Sequence, residues 1–164
     1  MYKIAVVTIS DKGARGERVD ESGPAIREMI AFLGDPIAGY LVSDDYEEIR
    51  SLLLQLCYRE KCDLVLTTGG TGLSPRDNTP EATLSVVKRQ VPGLAEAMRQ
   101  ESLKKTNRAM LTRAVAGIRG KTLIINLPGS VKAVRECLEV ILPALPHALE
   151  VLTGQAHDCG TPGQ

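Results

Sequence analysis

The stretch best equipped for chemistry runs from Thr67 to Glu81 and reads Thr-Thr-Gly-Gly-Thr-Gly-Leu-Ser-Pro-Arg-Asp-Asn-Thr-Pro-Glu. Three glycines within four residues let a backbone approach a ligand closely and turn its N–H groups toward an anion. Gly69, Gly70, Thr71 and Gly72 are therefore candidate substrate contacts. A helix expected from Thr79 would point its positive end at the same place. The glycines alone fit a tight strand-to-helix turn equally well. The Arg76-Asp77 pair adds a cation and a carboxylate, and a carboxylate beside a phosphate cradle suits a magnesium–nucleotide site.

Two further polar stretches follow apolar runs: Thr8–Gly13, with Ser10 and Asp11, and Asn126–Ser130, with Pro128 and Gly129. Asp44 and Asp45 also stand where a strand should give way to a helix. One can cap that helix, and either can be a site carboxylate. Other motifs carry less. Gly117-Ile118-Arg119-Gly120-Lys121-Thr122 has two residues between its glycines where a Walker loop needs four, and it leads into a strand. Cys57 and Cys62 are not spaced as a redox pair, and with no nearby His they make no zinc site. Cys57 and Cys137 fall on apolar helix faces and Cys62 leads into a strand, so they read as buried free thiols. His147 and His157 have no ligand-spaced partner.

The elements that must position these loops alternate. Residues 3–9, 36–42 and 63–68 are short β-rich apolar runs, and 121–126 is a fourth; 115–119 is ambiguous. Between them lie helical stripes. Ile26, Met29, Ile30 and Leu33 form one, ending at Gly34, and Ile49, Leu52, Leu53 and Leu56 form the next. Thr79 and Pro80 read as cap and first position of a third helix. Another helix follows Pro92-Gly93, and a last one carries Val134 to Leu145, kinked or shortened by Pro143 and Pro146. Such alternation predicts an α/β three-layer sandwich: a mostly parallel sheet with helices on both faces. In a parallel sheet the three polar loops converge at the carboxyl ends of the strands, where ligands bind.

The chain has 164 residues, about one domain by length. We expect a domain over 1–153 and a flexible tail over 154–164. Twenty Lys and Arg balance twenty Asp and Glu. No overall field draws the chain to nucleic acid or to a membrane, so any anionic ligand needs a local site. No apolar run is long enough to span a bilayer, and the start reads as a strand rather than a signal peptide, so a cytoplasmic protein is expected.

Gly69–Gly72 followed by Arg76-Asp77-Asn78-Thr79-Pro80-Glu81-Ala82 resembles the signature of the molybdopterin adenylyltransferase family. Thr8–Asp11, Asp20–Pro24, Pro92-Gly93 and Asn126–Ser130 fit the same family in the same order, so the resemblance covers about residues 3–153. Val131 departs from it, standing where many members have Pro, which bears on the shape of that turn. The resemblance implies Mg2+-dependent transfer of AMP from ATP to the phosphate of molybdopterin. The products would be adenylyl-molybdopterin, handed on to a molybdenum insertase, and pyrophosphate. It implies Asp77 and Asp44 as catalytic and magnesium-holding carboxylates, with Asp45 as the rival for the second. Ser10, Asp11, Gly69–Gly72, Asn126, Pro128, Gly129 and Ser130 would contact substrate. Arg76 would pair with a phosphate or with a neighbouring carboxylate. It also implies a homotrimer or homohexamer. A member that binds molybdopterin as a regulator or carrier, without transferase activity, is the alternative.

Overall fold

The computed structural model describes residues 1–155. The tail from residue 156, with His157 and Cys159, lies outside them. Among the described residues six strands form one sheet: β1 (Tyr2–Ile9), β2 (Gly34–Val42), β3 (Leu64–Thr68), β4 (Arg89–Gln90), β5 (Ala116–Arg119) and β6 (Thr122–Leu127). Their order is β2-β1-β3-β6-β5-β4. The first four run parallel; at the far edge β5 runs antiparallel to β6, and β4 reverses again, antiparallel to β5. The α-helices among the described residues are α1 (Asp11–Ala14), α2 (Ser22–Met29), α3 (Tyr46–Tyr58), α4 (Thr79–Val86), α5 (Pro92–Leu103), α6 (Val131–Ile141) and α7 (Leu145–Thr153).

The three-layer α/β sandwich follows from the period of the strands. In β1, Ile4 and Val6 face α2, α5, α6 and α7, while Ala5 and Val7 face α3 and α4. Both faces are covered, so every residue of β3 and β6 is buried. Each fully buried Ile or Leu here contributes roughly 1.5–3 kcal/mol relative to exposure.

Several expected boundaries move. α2 ends at Met29, and Gly34 opens β2 opposite Tyr2 instead of stopping the helix. Ser10 starts one helical turn, α1, where a loop was expected, because its hydroxyl accepts from the N–H of Gly13. Thr79 is the first helical residue of α4 and Asn78 the residue before it, so Pro80 comes one position later than expected. The ambiguous 115–119 segment is β5, and β4 was not anticipated. The last expected helix is three pieces, α6, a 3-10 turn at Leu142–Ala144, and α7, each of the last two beginning with a proline in its first turn. Cys57, Cys62 and Cys137 are free thiols, Cys62 and Cys137 buried, and burial pushes the Cys62 thiol up to about 11. His147 is exposed on α7. Among the described residues no helix is long and apolar enough to cross a membrane.

Candidate active site

β1 and β3 are neighbours, but their connections leave in opposite directions: β1 leads to β2 on one side, and β3 leads through α4 to β4 at the far edge on the other. That is the switch point of the sheet, and a crevice opens there at the carboxyl ends of the strands. The crevice is a cavity of about 610 Å3 lined by the ends of β1 and β3 and by the four connections β1–α2, β2–α3, β3–α4 and β6–α6. Ser10, Asp44, Gly69, Gly70, Asp77, Gly129 and Ser130 all face it.

Each wall has a local cause. Asp45 caps α3 by accepting from the N–H of Glu48 at 2.9 Å. Asp44, one residue earlier, is thereby left on the cavity side of the β2–α3 turn. Its Oδ2 accepts from the N–H of Asp11 at 2.9 Å, and its own N–H donates to Oδ1 of Asp11 at 3.0 Å. Asp77 closes a turn on itself: its N–H donates to the Ser74 carbonyl and its Oδ2 accepts from the Ser74 N–H at 3.0 Å. One oxygen of each carboxylate, Oδ1, is left free of these loop bonds.

Arg76 pairs with a carboxylate and not with the cavity. Its guanidinium donates to both oxygens of Asp11 at 2.9 Å. This pairing holds the Asp11 carboxyl down to about 2. Asp44 is shifted the other way: burial raises its pKa, and the charges of Asp11 and Asp77 add to the rise.

The glycine loop differs from the sequence expectation in an informative way. Gly69 (φ +97°) and Gly70 (φ +68°) both occupy the left-handed region. A Cβ on Gly69 would strike the Ile9 carbonyl, and one on Gly70 would strike Thr79 Oγ1 and come to 3.0 Å from Asp44 Oδ1. Neighbouring protein groups already fill the space that these glycines leave. The amides of Gly70, Thr71 and Gly72 donate to no protein group among the described residues, and Gly70 faces the cavity.

Not every expected contact is in the cavity. Asn126 is fully buried beneath it; its amide donates to Thr67 and Thr83 hydroxyls at 3.0 Å and accepts from the Val115 N–H. It ties β3, α4 and the segment before β5 together and does not line the cavity. Thr71 is buried and accepts from the Arg113 N–H, and Gly72 lies behind the wall. Pro128 is held by its carbonyl, which accepts from Thr68 at 2.6 Å, so it shapes the turn without lining the cavity. Asp11 acts through Asp44 and Arg76 and does not line it.

Thr8, Asp20, Ser22 and Thr68 belong to motifs noted in the sequence but were not singled out as site residues, and Arg18 was passed over; all five face the cavity. Asp20 accepts from Thr8 Oγ1 at 2.7 Å and from the Gly23 N–H at 2.9 Å, so it is the working cap of α2. The Asp-x-x-Gly spacing was the available signal. Ser22 donates to the Gly129 carbonyl at 2.8 Å, joining the first and last loops of the site.

Among charged residues the cavity presents Asp20, Glu21, Asp44 and Asp77 against Arg18. An anionic ligand would meet net repulsion unless a cation came with it. Among the described residues no three His, Cys, Asp or Glu side chains gather as a metal cage. Asp44 and Asp77, each with one uncommitted oxygen, fit a magnesium ion that takes its remaining ligands from phosphate and water.

The family described as the probable molybdopterin binding domain matches residues 5–147. The molybdopterin adenylyltransferase of Helicobacter pylori strain 26695 is 46% identical over 154 residues, covering 92% of this chain and 88% of that protein. The crystal structure of the molybdopterin biosynthesis enzyme MoaB from Thermus thermophilus is 54% identical with a TM-score of 0.86, covering 94% of this chain and 98% of that one. The molybdenum cofactor synthesis protein cinnamon of Drosophila melanogaster is 43% identical over 149 residues, 90% of this chain but 25% of its own length. Glycine loop, switch-point crevice and a match running through all but the ends agree, and the chain belongs to the molybdopterin-binding domain family.

Proposed function

We propose that the chain is a molybdopterin adenylyltransferase, joining AMP from ATP to the terminal phosphate of molybdopterin with release of pyrophosphate. The observation that carries it is the meeting of Asp44 and Asp77, from two separate loops, beside Gly70 in one switch-point cavity. The 46% identity to the Helicobacter pylori adenylyltransferase supports the same reading.

The chemistry asks little of a general base. A phosphate monoester has its second pKa at about 6, so the attacking oxygen is largely ionised near neutrality. That oxygen bonds to the α-phosphorus of ATP, and the bond from this phosphorus to the bridging oxygen breaks as pyrophosphate departs. The barrier is the approach of two anions, so catalysis consists of positioning and charge neutralisation. The free Gly70 N–H is a donor for a phosphate oxygen at the cavity wall. Ser10, Gly129 and Ser130 shape the far side. Asp44 and Asp77 would hold Mg2+, which supplies the positive charge that the acidic lining lacks.

The domain is proposed to span 1–153, since α7 ends at Thr153 with Gly154 in the left-handed conformation of a helix stop. A cytoplasmic site and a homotrimer or homohexamer complete the proposal, with product passing to a molybdenum insertase. The match to one quarter of the longer cinnamon protein supports an activity placed within a larger cofactor assembly line. The deciding experiment supplies ATP, Mg2+ and molybdopterin to the full chain. Stoichiometric pyrophosphate and adenylyl-molybdopterin are expected; tight molybdopterin binding with no pyrophosphate would leave the carrier reading instead.

A further inference from the structure

Asp77 stands at the end of an exposed loop, and the bonds that close its turn, to Ser74, do not fix the turn to the sheet. On the cavity side Arg76 ties the turn to Asp11, and Asn78 Nδ2 donates to the Asp44 carbonyl at 3.1 Å. On the opposite side the attachment is made by Arg113. Its Nε donates to the Gly72 carbonyl at 2.8 Å and its Nη2 to the Asp77 carbonyl at 2.8 Å, while Nη1 pairs with Glu81. Its backbone N–H donates to the Thr71 carbonyl at 2.8 Å. One planar guanidinium thus grips both ends of the Gly72–Asp77 turn and the first turn of α4.

The residue that grips is itself gripped. Arg113 lies in an irregular segment, Thr112–Val115, with no ladder of its own. The carbonyls on either side of it, of Thr112 and Ala114, accept from Arg99 Nη1 of α5 at 3.2 and 3.1 Å. Val115 exchanges bonds with Asn126 at the end of β6: its N–H donates to Asn126 Oδ1 at 3.2 Å, and its carbonyl accepts from the Asn126 N–H at 3.0 Å. The sheet holds the strap, and the strap holds the loop. Arg113 does not line the cavity, so any effect on chemistry passes through Asp77.

We propose that Arg113 is a positioning residue for adenylyl transfer: it fixes the Gly72–Asp77 turn from outside and so sets where the Asp77 carboxylate stands relative to Asp44. The inference rests on the adenylyl-transfer reading for its catalytic consequence and on the hydrogen bonds alone for its structural one. The geometry is specific to a guanidinium, because its donors diverge in a fixed plane. A lysine keeps the charge for Glu81 but cannot reach two carbonyls and a carboxylate together.

The test compares wild type, Arg113→Lys and Arg113→Met as full chains. Displacing a positioned group by about 1 Å can cost on the order of a hundredfold in rate, so kcat should fall by about that much in both variants. KM for ATP and molybdopterin should change far less, and half-saturation by Mg2+ should move to higher concentration. Hydrogen exchange of the 72–78 amides should quicken by about tenfold or more while β3 and β6 stay protected. Arg113→Lys keeps a charge for Glu81, so a lost fold in Arg113→Met alone does not end the test. Unchanged kcat per folded molecule, or unchanged exchange in the loop, overturns the proposal. A wild type that makes no adenylyl-molybdopterin refutes the activity instead, and the exchange result then still decides whether Arg113 holds the loop.

Discussion

Asp11 and Asp44 exchange hydrogen bonds, each carboxylate accepting the other's backbone N–H, at 2.9 and 3.0 Å. The exchange welds the end of β1 to the end of β2 without any side-chain cation between the two acids. Arg76 then arrives from the glycine-loop side and neutralises Asp11 alone. The two carboxylates part company: the Arg76 guanidinium holds Asp11 well below its ordinary value, while burial raises Asp44 from its own. Arg76 on one side and burial on the other make a scaffold acid and a site acid of two carboxylates joined by one reciprocal contact.

Replacing Asp44 by Asn should abolish transfer without unfolding the chain. An amide oxygen can still accept from the Asp11 N–H, while the charge available to a cation is gone. Losing one preorganised electrostatic contact costs about a hundredfold or more in rate. Because folding raises the Asp44 pKa, wild type loses stability as pH climbs from about 4, the ordinary Asp value, through that raised pKa. Asn carries no such loss, so the melting temperature of Asp44→Asn relative to wild type should rise across that window. Wild-type turnover with an unchanged melt at every pH would remove Asp44 from the site.

Asp45→Ala should show the opposite pattern. It deletes the cap of α3 and should cost about 1 kcal/mol of stability. Pyrophosphate release per folded molecule should stay near wild type. Inactive Asp45→Ala of normal stability would mean that the two neighbours had exchanged roles.

The Asp11–Arg76 pair should be visible in an acid titration. The Asp11 carboxyl carbon followed by NMR should titrate near pH 2 in wild type and near the ordinary value in Arg76→Met. The sign follows from the lowered pKa: the stabilisation is complete above about pH 4 and is lost as pH falls through about 2. A wild-type midpoint near 4 would show that the pair does not persist in solution.

The layers of this fold could be read from the sequence because its strands are nearly all apolar and its helices carry stripes, as in Leu64–Leu66 and Ile49–Leu56. β4 could not, since Arg89 and Gln90 are exposed polar residues with no period to detect. The Asp44–Asp45 ambiguity was real in one dimension, where both precede the same helix; only the direction of each side chain separates them. Asn126 misled for a related reason. A polar residue after an apolar run reads as the start of a loop, yet here two hydroxyls and an amide buried with it satisfy its polar atoms.

Asn126→Ala should therefore fail as a folding variant rather than a binding one. It strands the Thr67 and Thr83 hydroxyls and the Val115 N–H in the interior. Buried unsatisfied groups cost roughly 1–3 kcal/mol each, less whatever the hydroxyls recover by rotating to other partners. Denaturant unfolding should show a drop of a few kcal/mol, with KM little changed in the folded fraction. A large rise in KM at wild-type stability would return Asn126 to the substrate.

Gly70 and Gly129 line the same cavity, but they should respond differently to the same methyl group. At Gly70 the backbone has φ +68°, where an L-residue is disfavoured by roughly 1–2 kcal/mol. The added Cβ also strikes Thr79 Oγ1, a fully buried hydroxyl that donates to the Gly69 carbonyl at 3.0 Å. Losing that bond adds roughly 1–3 kcal/mol. The same Cβ would crowd Asp44 Oδ1, so the molecules that still fold should transfer poorly. At Gly129 a Cβ meets only the Gly69 Cα at 3.5 Å, an ordinary contact, and the position is exposed. Gly129→Ala should leave the melting temperature within about two degrees of wild type, since surface changes away from special features fall within about 0.5 kcal/mol. If substrate passes close to that turn, its KM should rise. Melts and steady-state kinetics on both variants separate a glycine kept for the fold from one kept for the ligand. Gly70→Ala melting with wild type would mean that Thr79 yields freely and that the loop is looser than its contacts indicate.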